Sequence, residues 1–272
     1  MPLDNLTSTQ HKSLSIRISS DGLSFCVYSP SDSPSHIYKV VTPRPVISMA
    51  ANLKEALMTE PLLKERYKRV NVLVTTPSFT TMPVVDFDRD KIGDIYHFLF
   101  PNDSQAHVSY NVLRRSGIAI IFGLDRNIYK LITDDFPFAR FYASASTLVE
   151  FFSDKSTGTG KKHMYVYIHD KEMTLYCIHE GRLLFVNNYP VQGVNDCQYF
   201  ILNVWKQFGY DQLEDMLEIV DDGGMSEMLS EKIQYFIKET HLLDRDDDFR
   251  HTITYGNKII PYDMQTLLIC GF

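Results

Sequence analysis

Cysteine is scarce in this sequence, and no two cysteines stand in a C-x-x-C spacing. The four cysteines among 272 residues are widely scattered, at Cys26, Cys177, Cys197 and Cys270. Isolated cysteines in apolar stretches are typical of buried free thiols rather than of disulfides or metal ligands. We therefore expect free thiols and no metal centre built on cysteine.

Long apolar runs and an excess of basic residues are also missing. No apolar run approaches the roughly 20 residues that span a bilayer. The first residues, MPLDNLTSTQHK, have no apolar core of the kind a signal peptide requires. Lys and Arg number 27 against 34 Asp and Glu, a formal net charge of −7, and no basic stripe stands out. We expect a soluble cytoplasmic protein with no membrane span and no nucleic-acid partner.

A three-strand pattern occurs twice in the sequence. SIRISSDGLSFCVYSP with HIYKVV, and YVYIHDKEMTLYCIHEGRLLFVNNYPV, both alternate apolar and polar residues between short turns. Aligning the two runs places Ile18, Leu23 and Phe25 on Ile168, Met173 and Leu175. This alignment predicts two equivalent antiparallel meanders, at residues 14–41 and 163–190.

The segments after each meander also correspond. The first half continues with a helix whose apolar residues are Ala50, Leu53, Ala56 and Leu57, and then a strand, RVNVLVTT. The second continues with a helix packed through Tyr199, Phe200, Leu202 and Trp205, and then a strand, DMLEIVDD. The helices RDKIGDIYHFLF and SEMLSEKIQYFIKE follow. Each half is therefore predicted as βββαβα, and an internal duplication is the economical explanation.

The halves differ in a stretch that only the first one has. Extra strands and helices at about 78–145 have no counterpart in the second half and predict an inserted subdomain. The run SDKSTGTGKKH is polar and has no apolar periodicity, which is typical of a linker. The predicted organisation is a first lobe at 1–154, a linker at 155–162 and a second lobe at 163–272.

A duplicated meander followed by αβα resembles the ribonuclease-H-like half of actin, Hsp70 and the sugar kinases. More narrowly, the chain resembles a bacterial family of unknown function with an actin-like ATPase fold. The resemblance is carried by YNVLRRSGIAIIFGLDRNIYKLI, FPFARFYASASTLVEFF and LLFVNNYPVQGVNDCQYFILNVWKQFG. It implies an α/β protein of two ribonuclease-H-like lobes with an insertion in the first.

The resemblance also implies where nucleotide chemistry would lie. In actin-like ATPases the first hairpin of each half offers backbone N–H groups to phosphate, and a carboxylate ending the first strand holds hydrated Mg²⁺. The aligned positions here read Arg17-Ile18-Ser19 and Tyr167-Ile168-His169. Neither carboxylate nor glycine is present, and a cation at Arg17 opposes Mg²⁺, so the metal site is expected to be absent.

The first hairpin holds one group of candidate phosphate-binding residues, Ser20, Asp21 and Gly22. They form a displaced version of the expected Asp-x-Gly pattern. An Asp-Gly pair between two alternating strands is also the standard signal of a tight hairpin turn. The structural interpretation is favoured, and the nucleotide interpretation stays open.

A second group of candidates follows the strand at Leu217–Val220. Gly223 and Gly224 stand at a strand-to-helix junction with Ser226 as a candidate N-cap, where a helix N-terminus offers N–H groups. Asp221 and Asp222 place two negative charges beside that anion site. Gly-Gly before a helix is also ordinary turn chemistry, which is the favoured interpretation.

Three further motifs fail on spacing. GTGKKH lacks the first glycine and the Ser or Thr of a P-loop, so it is interpreted as linker. DRDDDF begins like an EF-hand, but Phe249 and Tyr255 stand at the required Gly and Glu positions, which favours a solvated acidic loop. The second meander holds three histidines without a ligand spacing: His163, His169 and His179.

The sequence favours a non-catalytic actin-like protein that binds another macromolecule, an unidentified protein partner, and uses no cofactor. The rival is an ATP-binding or ATP-hydrolysing member of the superfamily that holds Mg-ATP with Ser19, Ser20, Asp21, Gly22, Gly223 and Gly224. A third alternative is a regulatory sensor that binds ATP without hydrolysis. A cleft-facing carboxylate is the feature that separates these alternatives.

Overall fold

The computed structural model of the chain describes residues 12–20, 22–29 and 36–270. They fall into two compact units. The first takes the chain up to Val112 together with Ala119–Ser144 and His251–Thr254. The second takes Leu113–Ile118, Ala145–Arg250 and the chain from Tyr255 onward.

The described residues up to Ser156 form two sheets. Its strands are β1 Ser13–Ile18, β2 Leu23–Tyr28, β3 His36–Val41, β4 Arg69–Val74, β5 Phe79–Pro83, β6 Ala106–Leu113, β7 Ile118–Asp125 and β8 Arg140–Ala143. Its helices are α1 Met49–Thr59, α2 Ile92–Leu99, α3 Arg126–Asp135 and α4 Ser144–Ser156.

The described residues after Ser156 form one sheet and four helices. Its strands are β9 Lys162–His169, β10 Glu172–His179, β11 Arg182–Pro190, β12 Met216–Asp221 and β13 Glu239–Leu242. Its helices are α5 Val194–Gln207, α6 Ser226–Ile233, α7 Arg245–Asp248 and α8 Tyr262–Ile269. No helix in the described part of the chain has the length and apolar character needed to cross a bilayer.

The two five-stranded sheets share one strand order. These orders are β3-β2-β1-β4-β8 and β11-β10-β9-β12-β13. In each sheet the first three strands form an antiparallel meander, and the first strand also pairs in parallel with the strand that follows the crossover helix. Ile18 pairs with Leu23 as Ile168 pairs with Met173, which confirms the predicted alignment. The ribonuclease-H-like sheet therefore occurs twice.

The crossover helices α1 and α5 each bury an apolar face. In α1 the buried apolar residues are Leu53, Ala56 and Leu57, as predicted, whereas the fourth residue of the predicted set, Ala50, is only partly buried. In α5 they are Val194, Cys197, Ile201, Val204 and Trp205, at the i, i+3, i+4 spacing of one helical face. The prediction that Tyr199 packs on this face is wrong, because it is 66% exposed on the opposite side. The aromatic residues Tyr199 and Phe200 obscured the helical period of the buried apolar residues in the sequence.

The counterpart of α6 in the first half is α3, and not the helix RDKIGDIYHFLF that the sequence suggested. Helix α3 packs on α1 and leads into β8, which extends the sheet beside β4, as α6 packs on α5 and leads into β13 beside β12. Helix α2 instead accompanies a separate three-stranded sheet, β5-β7-β6. The stretch without a counterpart therefore covers 79–125 rather than extending to 145.

The lobe boundaries 1–154 and 163–272 stay predictions. From Ala145 onward, α4 belongs to the second compact unit. The predicted linker, 155–162, holds the last two residues of α4, a turn, and the first residue of β9. Gly158 and Gly160 in that turn have φ angles of +78° and +69°, and their N–H groups donate to the Glu180 carboxylate at 3.1 and 2.5 Å.

Phe25 and Leu175 occupy equivalent, fully buried positions on β2 and β10. Replacing either with alanine should lower the free energy of unfolding by about 2 to 5 kcal/mol, since each truncation leaves a cavity in a packed core. Chemical denaturation of the two variants measures the effect. A loss below about 1 kcal/mol at either position would contradict equivalent core roles for the two residues.

Candidate functional site

The loop after β12 is built around the carboxylate of Asp221. Its Oδ1 accepts a hydrogen bond from the Gly223 N–H at 2.5 Å, and its Oδ2 accepts from the N–H groups of Met225 and of Ser226, the latter at 3.0 Å. Met225 and Ser226 lie at the start of α6, where a helix leaves its first donors unpaired. The carboxylate therefore fills the place that an anion at this helix end would take.

Both glycines of the loop have a structural role. Gly224 has φ +86°, a left-handed conformation that side chains with a Cβ rarely adopt. A Cβ on Gly223 would lie 3.2 Å from Asp221 Oδ1. Ser226 was predicted as the N-cap, but it is the first helical residue, and the side-chain acceptor comes from Asp221. The Gly-Gly pair thus allows Asp221 to turn back onto the helix.

The neighbouring carboxylate, Asp222, is the centre of a second set of contacts. It forms an ion pair with Arg245 and accepts a hydrogen bond from the Tyr167 hydroxyl at 2.5 Å. The Tyr262 N–H lies 3.3 Å from Oδ2 and 3.4 Å from Oδ1. The side chains of Asp222 and Arg245 are only 19% and 14% exposed, so this ion pair is largely shielded from water.

The contacts of Asp222 continue through Arg245 and Tyr262. Arg245 also donates to the carbonyl oxygens of Ile260 at 3.1 Å and Asp221 at 3.2 Å, and its guanidinium lies 5.6 Å from the centre of the Tyr262 ring. The Tyr262 hydroxyl donates to Asp248 at 2.7 Å. Burial and the Asp248 carboxylate raise the pKa of Tyr262 well above its usual value.

These residues join into one structure, which we call the Asp222 network. Its members are Tyr167, Asp222, Arg245, Tyr262, Asp248 and Lys155, the last bound to Asp248 at 2.5 Å. The two carboxylates each have a cationic partner, and the two tyrosine hydroxyls each have an acceptor. A buried network with every group paired rigidifies its surroundings.

Tyr167 stands where the resemblance placed a metal-binding carboxylate in the second half. It is fully buried, and its hydroxyl is committed to Asp222. The matching residue of the first half, Arg17, lies on β1 between Ser24 and Leu73 and is also buried. Neither position supplies an anionic oxygen ligand to a divalent cation.

In the first unit, Ser19, Ser20 and Gly22 belong to the hairpin that joins β1 to β2. The Ser19 N–H donates to the Gly22 carbonyl at 3.0 Å, which closes the turn over Ser20. A Cβ on Gly22 would meet no atom within 4 Å. Asp21 lies outside the described residues. The backbone N–H of Ser19 is therefore used by the turn itself.

The acidic run of the failed EF-hand motif is tied to the protein. Asp244 caps α7 by accepting from the Asp246 N–H at 2.9 Å, and Asp248 is buried in the Asp222 network. The interpretation as a solvated loop is therefore wrong for Asp248, because its partners Lys155 and Tyr262 come from distant segments. Within the described residues, no group of three or more His, Cys, Asp or Glu side chains is placed to hold a metal ion.

The histidines of the second meander have separate surroundings. His163 is buried, with Nδ1 2.7 Å from Glu218 Oε2 and Nε2 2.9 Å from Thr159 Oγ1. His169 lies at the far end of the same strand, roughly 20 Å away at the usual rise per residue. The two rings therefore do not share one site.

The cysteines are free thiols, as predicted. Cys26, Cys177 and Cys197 are buried, and Cys270 is partly exposed. Burial raises the pKa of Cys26, Cys177 and Cys270 to about 12, and that of Cys197 to about 11. At neutral pH these thiols are protonated, so they are poor nucleophiles and poor metal ligands.

Sequence reasoning missed the role of Asp221 and the partners of Asp222. It flagged Asp221 only as a charge beside the glycines, and it assigned no role to Arg245 or Tyr262. These partners lie 23 and 40 positions after Asp222. No short motif links residues at such separations, so only the fold brings them together.

The sequence matches the family described as "Protein of unknown function (DUF3822)" over residues 3–240. The chain belongs to this family. No curated protein matches the sequence.

Among solved structures, a Bacteroides thetaiotaomicron VPI-5482 protein "with actin-like ATPase fold and unknown function" is similar at 29% identity. The match covers 98% of each chain with a TM-score of 0.86. A chain of the "PilM-PilN type IV pilus biogenesis complex" has a TM-score of 0.52 at 8% identity, over 87% of this chain and 89% of its own. This family member therefore has an actin-like ATPase fold.

Proposed function

We propose that this protein is a non-catalytic member of the actin-like fold that acts in the bacterial cytoplasm by binding another macromolecule. It neither hydrolyses ATP nor needs a cofactor. The observation that carries the proposal is the position of Asp221, whose carboxylate accepts three N–H groups around the start of α6. Those N–H groups are the donors that a phosphate would need at this junction.

Charge strengthens the argument. A phosphate brought to the start of α6 would meet the Asp221 carboxylate on the same donors. Two like unit charges 4 Å apart repel by about 4 kcal/mol at an effective dielectric near 20, and a nucleotide phosphate carries more than one charge. Displacing Asp221 would instead leave α6 without its cap, at a cost of about 0.5 to 2 kcal/mol. Either route disfavours nucleotide at this junction.

The residues at the expected metal positions support the same proposal. Tyr167 is fully buried and bonded to Asp222, and Arg17 carries a positive charge. An ATPase of this superfamily needs an oxygen ligand there to hold hydrated Mg²⁺ beside the phosphates. Without the metal, the developing charge of phosphoryl transfer has no electrophilic partner from these two positions.

Two observations favour macromolecular binding as the activity. A matched chain with this fold comes from the PilM-PilN complex. The fold is therefore compatible with binding another protein. This chain also exposes large aromatic side chains, among them Phe98, Phe138 and Tyr235, each more than four-fifths exposed. Aromatic residues are enriched where protein surfaces meet partners.

The test is thermal unfolding and phosphate release with Mg-ATP. A ligand at a hundred times its Kd stabilises a protein by about 2.7 kcal/mol. At about 2 to 4 °C for each kcal/mol in this size range, that is a rise in Tm of roughly 5 to 11 °C. We expect no saturable rise in Tm and no phosphate release above background. The control is Asp221→Ser, which keeps a capping oxygen but removes the charge, and which should respond more strongly to added phosphate.

A saturable rise in Tm of the unmodified protein with Mg-ATP would contradict the absence of nucleotide binding. If phosphate release accompanied it, the ATPase alternative would replace this proposal. A rise without release would favour the sensor that binds without hydrolysis. Each outcome separates one of the three interpretations from the other two.

A further inference from the structure

A groove of about 810 Å³ lies in the first unit, away from the hairpin that holds Ser19 and Gly22. It is formed by the segment before β4 and the loop before β8. β4 runs parallel to β1, and β8 runs parallel to β4, so both segments lie at the amino ends of these parallel strands. The hairpin with Ser19 and Gly22 follows the carboxyl end of β1. The groove is therefore at the opposite edge of the sheet.

The floor of the groove is apolar and its wall is aromatic. Leu57, Leu63 and Val70 line it from below and are nearly inaccessible to water. Phe136 and Phe138 belong to the loop before β8 and line one side of the groove, and Phe138 is 93% exposed. The volume is in the range of pockets that hold a ligand group, which is about 300 to 1,000 Å³. An apolar side chain therefore fits this apolar surface of the groove.

The rim of the groove is basic, on a chain whose formal net charge is −7. Four exposed cations line it: Lys64, Arg66, Lys68 and Arg69. Two carboxylates, Glu65 and Asp135, also line it, so positive charge is in excess. None of the four cations forms an ion pair with a residue of the described ranges. Their charges are available to a partner.

The geometry points to a docking site for an acidic peptide segment that carries an apolar anchor residue. This inference rests on the proposed function and names the chemistry of the partner. The anchor enters between Phe138 and the apolar floor, and the flanking Asp or Glu side chains meet the cationic rim. Arginine forms paired hydrogen bonds with carboxylates, so Arg66 and Arg69 add directional hydrogen bonds to the attraction between opposite charges.

A peptide is favoured over nucleic acid for two reasons. The overall negative charge of the chain repels a long polyanion, and the four cations are confined to one short run rather than forming a stripe. The apolar floor also matches an aliphatic or aromatic side chain better than a phosphate backbone. A single-stranded oligonucleotide is therefore the competing probe in the test.

The experiment selects phage-displayed random peptides on the full-length protein. Peptides about 12 residues long, which span about 40 Å when extended, are long enough to cross the groove. Selection is repeated on Arg66→Glu/Lys68→Glu and on a matched control, Arg182→Glu/Lys206→Glu, which makes the same charge change at exposed positions outside the groove. Phe138→Ala tests the aromatic wall without altering charge.

We expect the selected peptides to combine an excess of Asp and Glu with one apolar position. Their affinity, measured by fluorescence anisotropy, should fall at least about tenfold in Arg66→Glu/Lys68→Glu and in Phe138→Ala, and stay within about twofold in the control. Raising NaCl from about 0.05 to 0.3 M should also weaken binding, since exposed charges are screened. Unchanged thermal unfolding of the variants shows that they remain folded.

Selected peptides without acidic excess, or equal binding to the reversed-charge variant, would overturn the inference. So would a selection that enriches no peptide. Tight binding of a single-stranded oligonucleotide that is lost in Arg66→Glu/Lys68→Glu would replace the peptide with nucleic acid. None of these results bears on ATP, so failure of the groove and failure of the non-catalytic proposal are distinguishable.

Discussion

Replacing Asp222 with alanine should lower the free energy of unfolding by about 3 kcal/mol. The substitution leaves Arg245, which is 14% exposed, without its carboxylate partner. It also removes the carboxylate that accepts from the buried Tyr167 hydroxyl and from the Tyr262 N–H. Removing one partner of a buried ion pair costs about 3 to 5 kcal/mol, and the partial exposure here favours the lower end.

Urea denaturation followed by circular dichroism measures this loss, with Asp247→Ala as the matched control. Asp247 forms an ion pair with Arg250 in which both side chains are more than three-fifths exposed, so its loss should cost about 1 kcal/mol or less. Asp222→Asn keeps an acceptor for Tyr167 and should give an intermediate value. Equal losses for Asp222→Ala and Asp247→Ala would show that the Asp222 network does not stabilise the fold.

Replacing Phe152 with alanine should destabilise the second unit by about 3 to 5 kcal/mol, the usual cost of removing a large buried ring. Phe152 is fully buried on α4, and its ring stacks on that of Tyr165 with centroids 4.2 Å apart. The Tyr176 ring packs edge-on at 5.3 Å. These tyrosines lie on β9 and β10, so both strands should lose protection from hydrogen exchange.

Phe151 is the matched control, because it is the adjacent phenylalanine of the same helix but is only partly buried. Its replacement by alanine should cost less than half as much as that of Phe152. The exchange data also test the predicted lobe boundary at residue 154. Loss of protection confined to β1 and β2 after truncation of Phe152 would assign α4 to the first half and contradict its contacts with β9.

The repeated meander was predictable because its signal is local. Side chains alternate across a strand, and in β1 the apolar Leu14, Ile16 and Ile18 alternate with the polar Ser13, Ser15 and Arg17, although all six are buried. The pairs Ile18–Leu23 and Ile168–Met173 therefore followed from spacing alone, and the structure has both. The buried face of α5 was harder, since Tyr199 and Phe200 interrupt the apolar period that Val194, Cys197 and Ile201 follow.

The counterpart of α6 was misassigned for a topological reason. RDKIGDIYHFLF is a good amphipathic helix at the right distance along the chain, and it does form α2. Whether a helix packs on the main sheet or on an insertion depends on which sheet the following strand joins. Here β8 lies beside β4, so α3 takes the position equivalent to α6. Periodicity carries no information about that choice.

The sequence by itself determined the duplicated meander, the free thiols and the lack of a carboxylate at Arg17 and Tyr167, because each depends on residue identity or on local period. Only the tertiary structure decided that Asp221 fills the start of α6 and that Asp222 binds Tyr167, Arg245 and Tyr262. A hydrogen bond depends on distances of about 3 Å between groups far apart in the chain. Residue order does not specify those distances until the strands and helices are packed.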